Sequence, residues 1–409
     1  MTPPSKGSRA FFAALTLACG CSAPPNEPPA VPVPRDLPPS PPLQIAAEPL
    51  PEPPIAEDPP PLPQVLTPLP AQPLDERYNP SPRLVPAEVP NVTGAIRIAT
   101  SSISTCALRA DDAAICWGNF PVDLTGNVSS IQPSPRRMVG WSGVRALADG
   151  EGAVYAILRN GTVQGHYRPL NGVTNAASFH LGRNLPCERD GQGQVLCWEE
   201  YRIGDKPPTR MLGDAIQLDS KFHHACALTS RGVVYCWGDN ASQELGDGTR
   251  TSRQQISPVV GLPPAVEIAI GGSHSCARDI SGSVRCWGDN GYGQLGDDTP
   301  TTRGIPAVVP GITTAVQIAA GAYHTCALLR DGSLQCWGWN HTGQLGDGST
   351  LDRHRPTPVL GLSLVAEVST FGSHTCARLR SGKVACWGEN NLGQTGTAAP
   401  ARRSGAPSR

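Results

Sequence analysis

After Asn79 the chain runs in short bursts of alternating apolar and polar residues, and each burst leads into a glycine turn. "CALLRDGSLQC" (Cys326 to Cys336) is one such burst. Alternation of period two predicts two strands flanking an Arg-Asp-Gly turn. If Cys326 faces Cys336, Leu328 faces Leu334 and Leu329 faces Ser333. Residues 330–332 are then a three-residue loop, with Gly332 last, where such a loop needs positive φ and a G1 bulge. The turn thus sets the register and puts the two sulfurs opposite each other.

The pattern repeats. Cys106 and Cys116, Cys187 and Cys197, Cys226 and Cys236, Cys276 and Cys286, Cys326 and Cys336, and Cys376 and Cys386 form pairs that are always ten apart. The last four pairs recur every fifty residues. A further copy, Ala146 to Tyr167, aligns without a gap and carries Tyr155 and Gly165 where the cysteines would stand. That makes seven units. Units of about fifty residues with short strands and Gly-rich turns predict propeller blades. The segment Asn79 to Cys106 aligns with Thr299 to Cys326, which leads from one hairpin to the next. The chain therefore begins with the piece that its last unit lacks, and a strand at about Arg83 to Val92 is expected to complete the last blade.

Within one unit stand Gly321, His324, Thr325, Ala327, Leu328, Asp331, Gly332, Leu334, Trp337, Gly338, Asn340, Gly343, Gln344, Leu345 and Gly346. This series resembles the regulator-of-chromosome-condensation repeat over residues 79–398. The resemblance, with the count of seven, implies an all-β, seven-bladed propeller.

The cysteine pairs admit three chemistries. Zinc sites want C-x2-4-C spacing and convergent ligands, and redox catalysis usually shows C-x-x-C; neither occurs. Disulfides within each blade fit the register and the even number. The loss of both cysteines from a single unit is what such pairing predicts. His224, His274, His324 and His374 precede a cysteine by two residues, which puts each on its cysteine's face. Units one to three have Ser104, Ala153 and Leu185 there, so no closed metal-binding ring forms. The resemblance implies an imidazole hydrogen-bonded between blades. "LGDGT" and "LGDGS" lack the alternating acids of a calcium loop and read as tight turns. No catalytic motif stands out, so no enzyme and no cofactor are expected.

Composition changes the picture at the N-terminus. Lys6 and Arg9 precede an apolar run, Ala10 to Ala18, too short to span a bilayer. "LACGCS" follows, so residues 1–21 resemble a lipoprotein signal, with Cys21 or Cys19 as the lipidated residue. Residues 22–78 form a linker; of residues 22–77, 21 are Pro, a composition that cannot bury enough apolar surface to fold and predicts a semi-rigid spacer. Residues 399–409 are a tail. A net charge of −1 predicts no nucleic-acid partner.

These readings combine into an exported, lipid-anchored, monomeric propeller in the outer membrane or periplasm. It would bind a protein or cell-surface polymer. A secreted inhibitor, an exchange-factor-like regulator and an enzyme with its site in the channel are the alternatives. Units two and three depart from the repeat, by drift or because they build a binding face. There the candidate contacts are Tyr167, Phe179, Tyr201, Arg202 and Arg210, and Tyr292 and Trp339 compete with them on the regular side.

Overall fold

The computed structural model describes residues 81–122, 128–165, 170–182, 185–198, 203 and 207–396. The signal, Cys19, Cys21, the Pro-rich linker, the tail, Tyr167, Tyr201 and Arg202 lie outside the described residues. Among those described, the regular structure is β-strand throughout, in seven sheets. No helix among them is long and apolar enough to cross a membrane.

Each sheet is one blade, an antiparallel meander. The innermost strands run, in chain order, Ala95–Thr100, Val144–Ala148, Ala176–Leu181, Ala215–Lys221, Ala265–Ile270, Ala315–Ala320 and Val365–Phe371. Each touches the next, and the seventh touches the first, so the ring is closed. Among the described residues, blade 2 has three strands and the other six have four.

The hairpin register follows from the turn. Cys326 pairs with Cys336 and Leu328 with Leu334. Leu329 N–H donates to Ser333 O, and Gly332 N–H to Leu329 O, both at 2.9 Å. Gly332 has φ 85°, which an L side chain adopts only at a cost. All six expected disulfides are present. Cys106 is bonded to Cys116 in blade 1, Cys187 to Cys197 in blade 3 and Cys226 to Cys236 in blade 4. Cys276 is bonded to Cys286 in blade 5, Cys326 to Cys336 in blade 6 and Cys376 to Cys386 in blade 7. The Cα atoms of every pair stand 4.1 Å apart. Each bond joins neighbouring strands of one blade and none links two blades; each is worth about 2–3 kcal/mol on the chain-entropy view. In blade 2 Tyr155 takes the first cysteine's place, and its ring meets Phe179 edge-on at 5.8 Å.

Blade 7 is completed by Arg83–Glu88, which pairs with Val384–Gly388. The strand is shorter than the expected Arg83 to Val92. Val89 N–H still reaches Val384 O at 2.8 Å, but the chain turns at Pro90-Asn91, where Pro90 has no N–H to donate and Asn91 takes φ 62°. Val89 and Val92 are buried there against Trp117 of blade 1, so the segment seals a seam as well as an edge.

Candidate functional site

Four blade junctions share one hydrogen-bond relay. His224, His274, His324 and His374 direct Nε2 to the hydroxyls of Ser275, Thr325, Thr375 and Thr105 of the next blade, at 2.8–2.9 Å. Those hydroxyls donate to the carbonyls of Glu244, Gln294, Gln344 and Gln394 at 2.9–3.0 Å. The same four carbonyls accept Nε1–H from Trp287, Trp337, Trp387 and Trp117. A hydroxyl that gives its proton to a carbonyl must accept one from the imidazole, so each histidine is protonated at Nε2, and its buried Nδ1, which has no acceptor, disfavours a second proton. Burial agrees, driving His224 down to about 4 and the other three to about 3. These histidines are fasteners between blades, with Nε2 already engaged. Among the described residues no group of three or more acidic, histidine or cysteine side chains could hold a metal ion.

The relay stops between blades 3 and 4. Ala225 stands where the hydroxyl belongs, and the buried Trp237 Nε1 has no partner.

Side chains gather on the face carrying the loops after the first and third strands of each blade. Tyr292 lies in the long loop of blade 5, its N–H on Gln294 Oε1 at 3.0 Å. Trp339 begins the corresponding loop of blade 6, and its N–H donates to Tyr323 O at 2.9 Å. Ring centroids stand 5.4 Å apart for Tyr292–Tyr323, 6.1 Å for Tyr292–Trp339 and for Tyr323–Trp339, and 5.4 Å for Trp339–His341. Tyr292 is 38% exposed and Tyr323 37%. Of the eight tryptophans, seven are buried, and Trp339 is the one left partly open. The four rings form one continuous, partly exposed aromatic platform on this face.

The structure thus joins Tyr292 and Trp339, named from sequence, and adds Tyr323 and His341, which were missed. It corrects one expectation: Phe179 is fully buried in the core beneath blades 2 and 3 and offers no surface contact. Its strand buries Ala176, Phe179 and Leu181. Arg210 is exposed on the outer strand of blade 3, away from the platform's blades.

The ring axis holds the second feature, a cavity of about 190 Å³. Lys221, buried, reaches across from blade 4 and donates to Ala320 O at 2.9 Å and Thr370 O at 3.0 Å. Its ammonium lies 5.2 Å from the centre of the Phe371 ring, and Phe371 meets Phe222 at 5.4 Å. These three side chains close the loop-face end. At the other end Gln217, Glu267, Gln317 and Glu367 remain partly exposed. They also tie blades together: Gln217 pairs with the backbone of Ile268 and Gln317 with that of Val368, through both amide atoms.

The regulator of chromosome condensation (RCC1) repeat matches residues 215–243, 265–294, 315–344 and 370–394 in one description and 231–278, 281–328 and 331–378 in another. Residues 215–394 carry RCC1 repeats. Blades 4 to 7 hold the matched stretches. Solved structures share the fold at low identity. Prp20p from Saccharomyces cerevisiae, whose structure was described with its binding to Gsp1p and histones, superposes with a TM-score of 0.59 at 18% identity, over 72% of this chain and 82% of Prp20p. Human WBSCR16 gives 0.61 at 17%, over 75% of this chain and 90% of its own.

Proposed function

We propose that this RCC1-repeat propeller is an exported, lipid-anchored module that binds a protein partner through its loop face, with Tyr292, Tyr323 and Trp339 as anchors. The aromatic platform carries the reading. Tyr and Trp dominate binding hot spots because they bury large area with little conformational entropy to lose. A likeness to Prp20p, described as binding Gsp1p and histones, agrees with a protein partner. Six disulfides agree with an oxidising compartment. The platform sits on the regular blades, so the binding face is on that side.

The test is affinity capture from envelope fractions with three baits in parallel: the wild-type chain, Tyr292→Ala with Trp339→Ala, and Arg210→Ala. A partner held by the wild type and by Arg210→Ala, and released by the double variant at unchanged melting temperature, supports the reading. The loss at each aromatic is expected to exceed about 1 kcal/mol. A partner retained by the double variant removes the platform from the interface, and one lost only with Arg210→Ala moves the site to the irregular blades.

A further inference from the structure

The axial cavity holds more polar chemistry than ring closure uses. Four carboxylates line it: Asp149, Asp219, Glu267 and Glu367. Glu267 and Glu367 are neutralised by Arg278 and Arg378, whose Nε atoms stand 2.7 and 2.8 Å away. Asp149 and Asp219 are left facing one cation, Lys221, so with both carboxyls ionised the cavity is one positive charge short. Lys221 does not fill the space, because its ammonium is turned to the carbonyls of Ala320 and Thr370.

Hydrogen bonding is short in the same place. Asp219, 8% exposed, uses Oδ2 to accept Ile270 N–H at 2.8 Å, while its Oδ1 has no hydrogen-bond partner. His180 Nδ1 stands 3.6 Å from that oxygen, too far to bond, and has no other partner. Thr370 Oγ1 is likewise buried and free. Leaving such groups buried and unmet is unfavourable, because each gave up water on folding and gained no partner. Burial raises Asp149 to about 7, against the pull of Lys221, as expected of a carboxyl that lacks a counter-ion.

We infer that the channel is a binding site for a small organic monocation, a protonated primary amine, entering from the end opposite the loop face. An ammonium brings both missing items: one positive charge for Asp149 and Asp219, and N–H donors for Asp219 Oδ1. The volume suits a small molecule, since 190 Å³ is room for about six water-sized groups. Anions are repelled by the same carboxylates. The site does not depend on the aromatic platform, which lies beyond the Lys221–Phe222–Phe371 closure.

The test is calorimetric titration of the full chain at pH 8 with ethanolamine, with ethylene glycol as its neutral counterpart and sodium chloride at matched ionic strength. Saturable binding of ethanolamine alone is expected. Asp219→Asn keeps an acceptor for Ile270 N–H but drops the charge, and binding should weaken on the order of ten-fold or more. Asp149→Asn is the second variant, should the first fold poorly. No saturable binding, equal binding of ethylene glycol, equal heat from sodium ions, or wild-type affinity in both variants would each overturn the proposal.

Discussion

Glu244 stands where the next three blades carry Gln294, Gln344 and Gln394, and replacing it with Gln should stabilise the fold in a pH-dependent way. In blade 5 the Gln294 Oε1 accepts Tyr292 N–H at 3.0 Å and its Nε2 donates to Asp289 Oδ2 at 2.9 Å. In blade 4 the Glu244 Oε2 accepts Ser242 N–H at 2.7 Å, and Asp239 occupies the place of Asp289. Burial raises Asp239, but hydrogen bonds from Ser252 and the backbone of Asn240 and Ala241 outweigh it and hold that carboxyl below its ordinary value. The proton therefore belongs on Glu244, which is 3% exposed and which burial pushes from 4.5 up to about 7. A protonated carboxyl imitates the glutamine amide. Because the folded value lies above the unfolded one, this stability is complete below about pH 4.5 and is lost as pH rises through 7. Each pH unit between the two values is worth about 1.4 kcal/mol, so above pH 7 the ionised side chain costs about 3 kcal/mol. Glu244→Gln should recover that at pH 8.5, raising the melting temperature by roughly 5 °C, and change little at pH 4. Thermal unfolding followed by tryptophan fluorescence at both pH values reads the difference. An equal gain at both, or none at pH 8.5, would refute the assignment of the proton to Glu244.

Two more outcomes check the frame. Removing residues 79–92 strips the outer strand of blade 7 and the Val89 and Val92 contacts with Trp117; it should expose the edge at Val384–Gly388, lower the melting temperature and promote aggregation, whereas an unchanged melting curve would contradict closure by this strand. Radiolabelled palmitate should mark the exported chain, and Cys19→Ser with Cys21→Ser together should abolish the label; a freely soluble, unlabelled mature protein would sink the anchor.

Much of the fold was legible because it repeats. The ten-residue cysteine spacing and Gly332 determine one hairpin register, and every blade with cysteines obeys it, from Cys106 opposite Cys116 to Cys376 opposite Cys386. The closing strand was visible as a half-unit at the front. Its end was misplaced by four residues, since alternation continues through Val89 while Pro90 breaks the ladder. The platform was half legible. Tyr292 and Trp339 are odd against their repeats, where Ser242, Thr342 and Leu392 or Asp239, Asp289 and Glu389 stand. Tyr323 is as odd beside His223, Ser273 and Ser373, and His341 beside Ala241, Gly291 and Asn391. Only the packing of two blades shows that all four meet. The channel follows the same rule: Lys221 stands where Gly271 and Gly321 do, and Asp219 where Ala269 and Ala319 do. Phe179 misled because its neighbours are irregular and no loop register placed it.

Closure by the first strand has a consequence in time. Arg83 pairs with Gly388, so the strand made first waits for the hairpin made last. At about 5–20 residues per second, that wait is roughly 15–60 s on the ribosome. Throughout it Leu84 and Val85, still 37% and 46% exposed in the finished ring, have no partner strand. The first blade's Trp117 also lacks its cover, because Gln394 O, its acceptor, is made later still. The other six blades lie between the two, each able to pack within itself, but the ring becomes a ring only when the last hairpin is in place. A chain stopped before the last hairpin would hold nearly all of its blades and none of its closure.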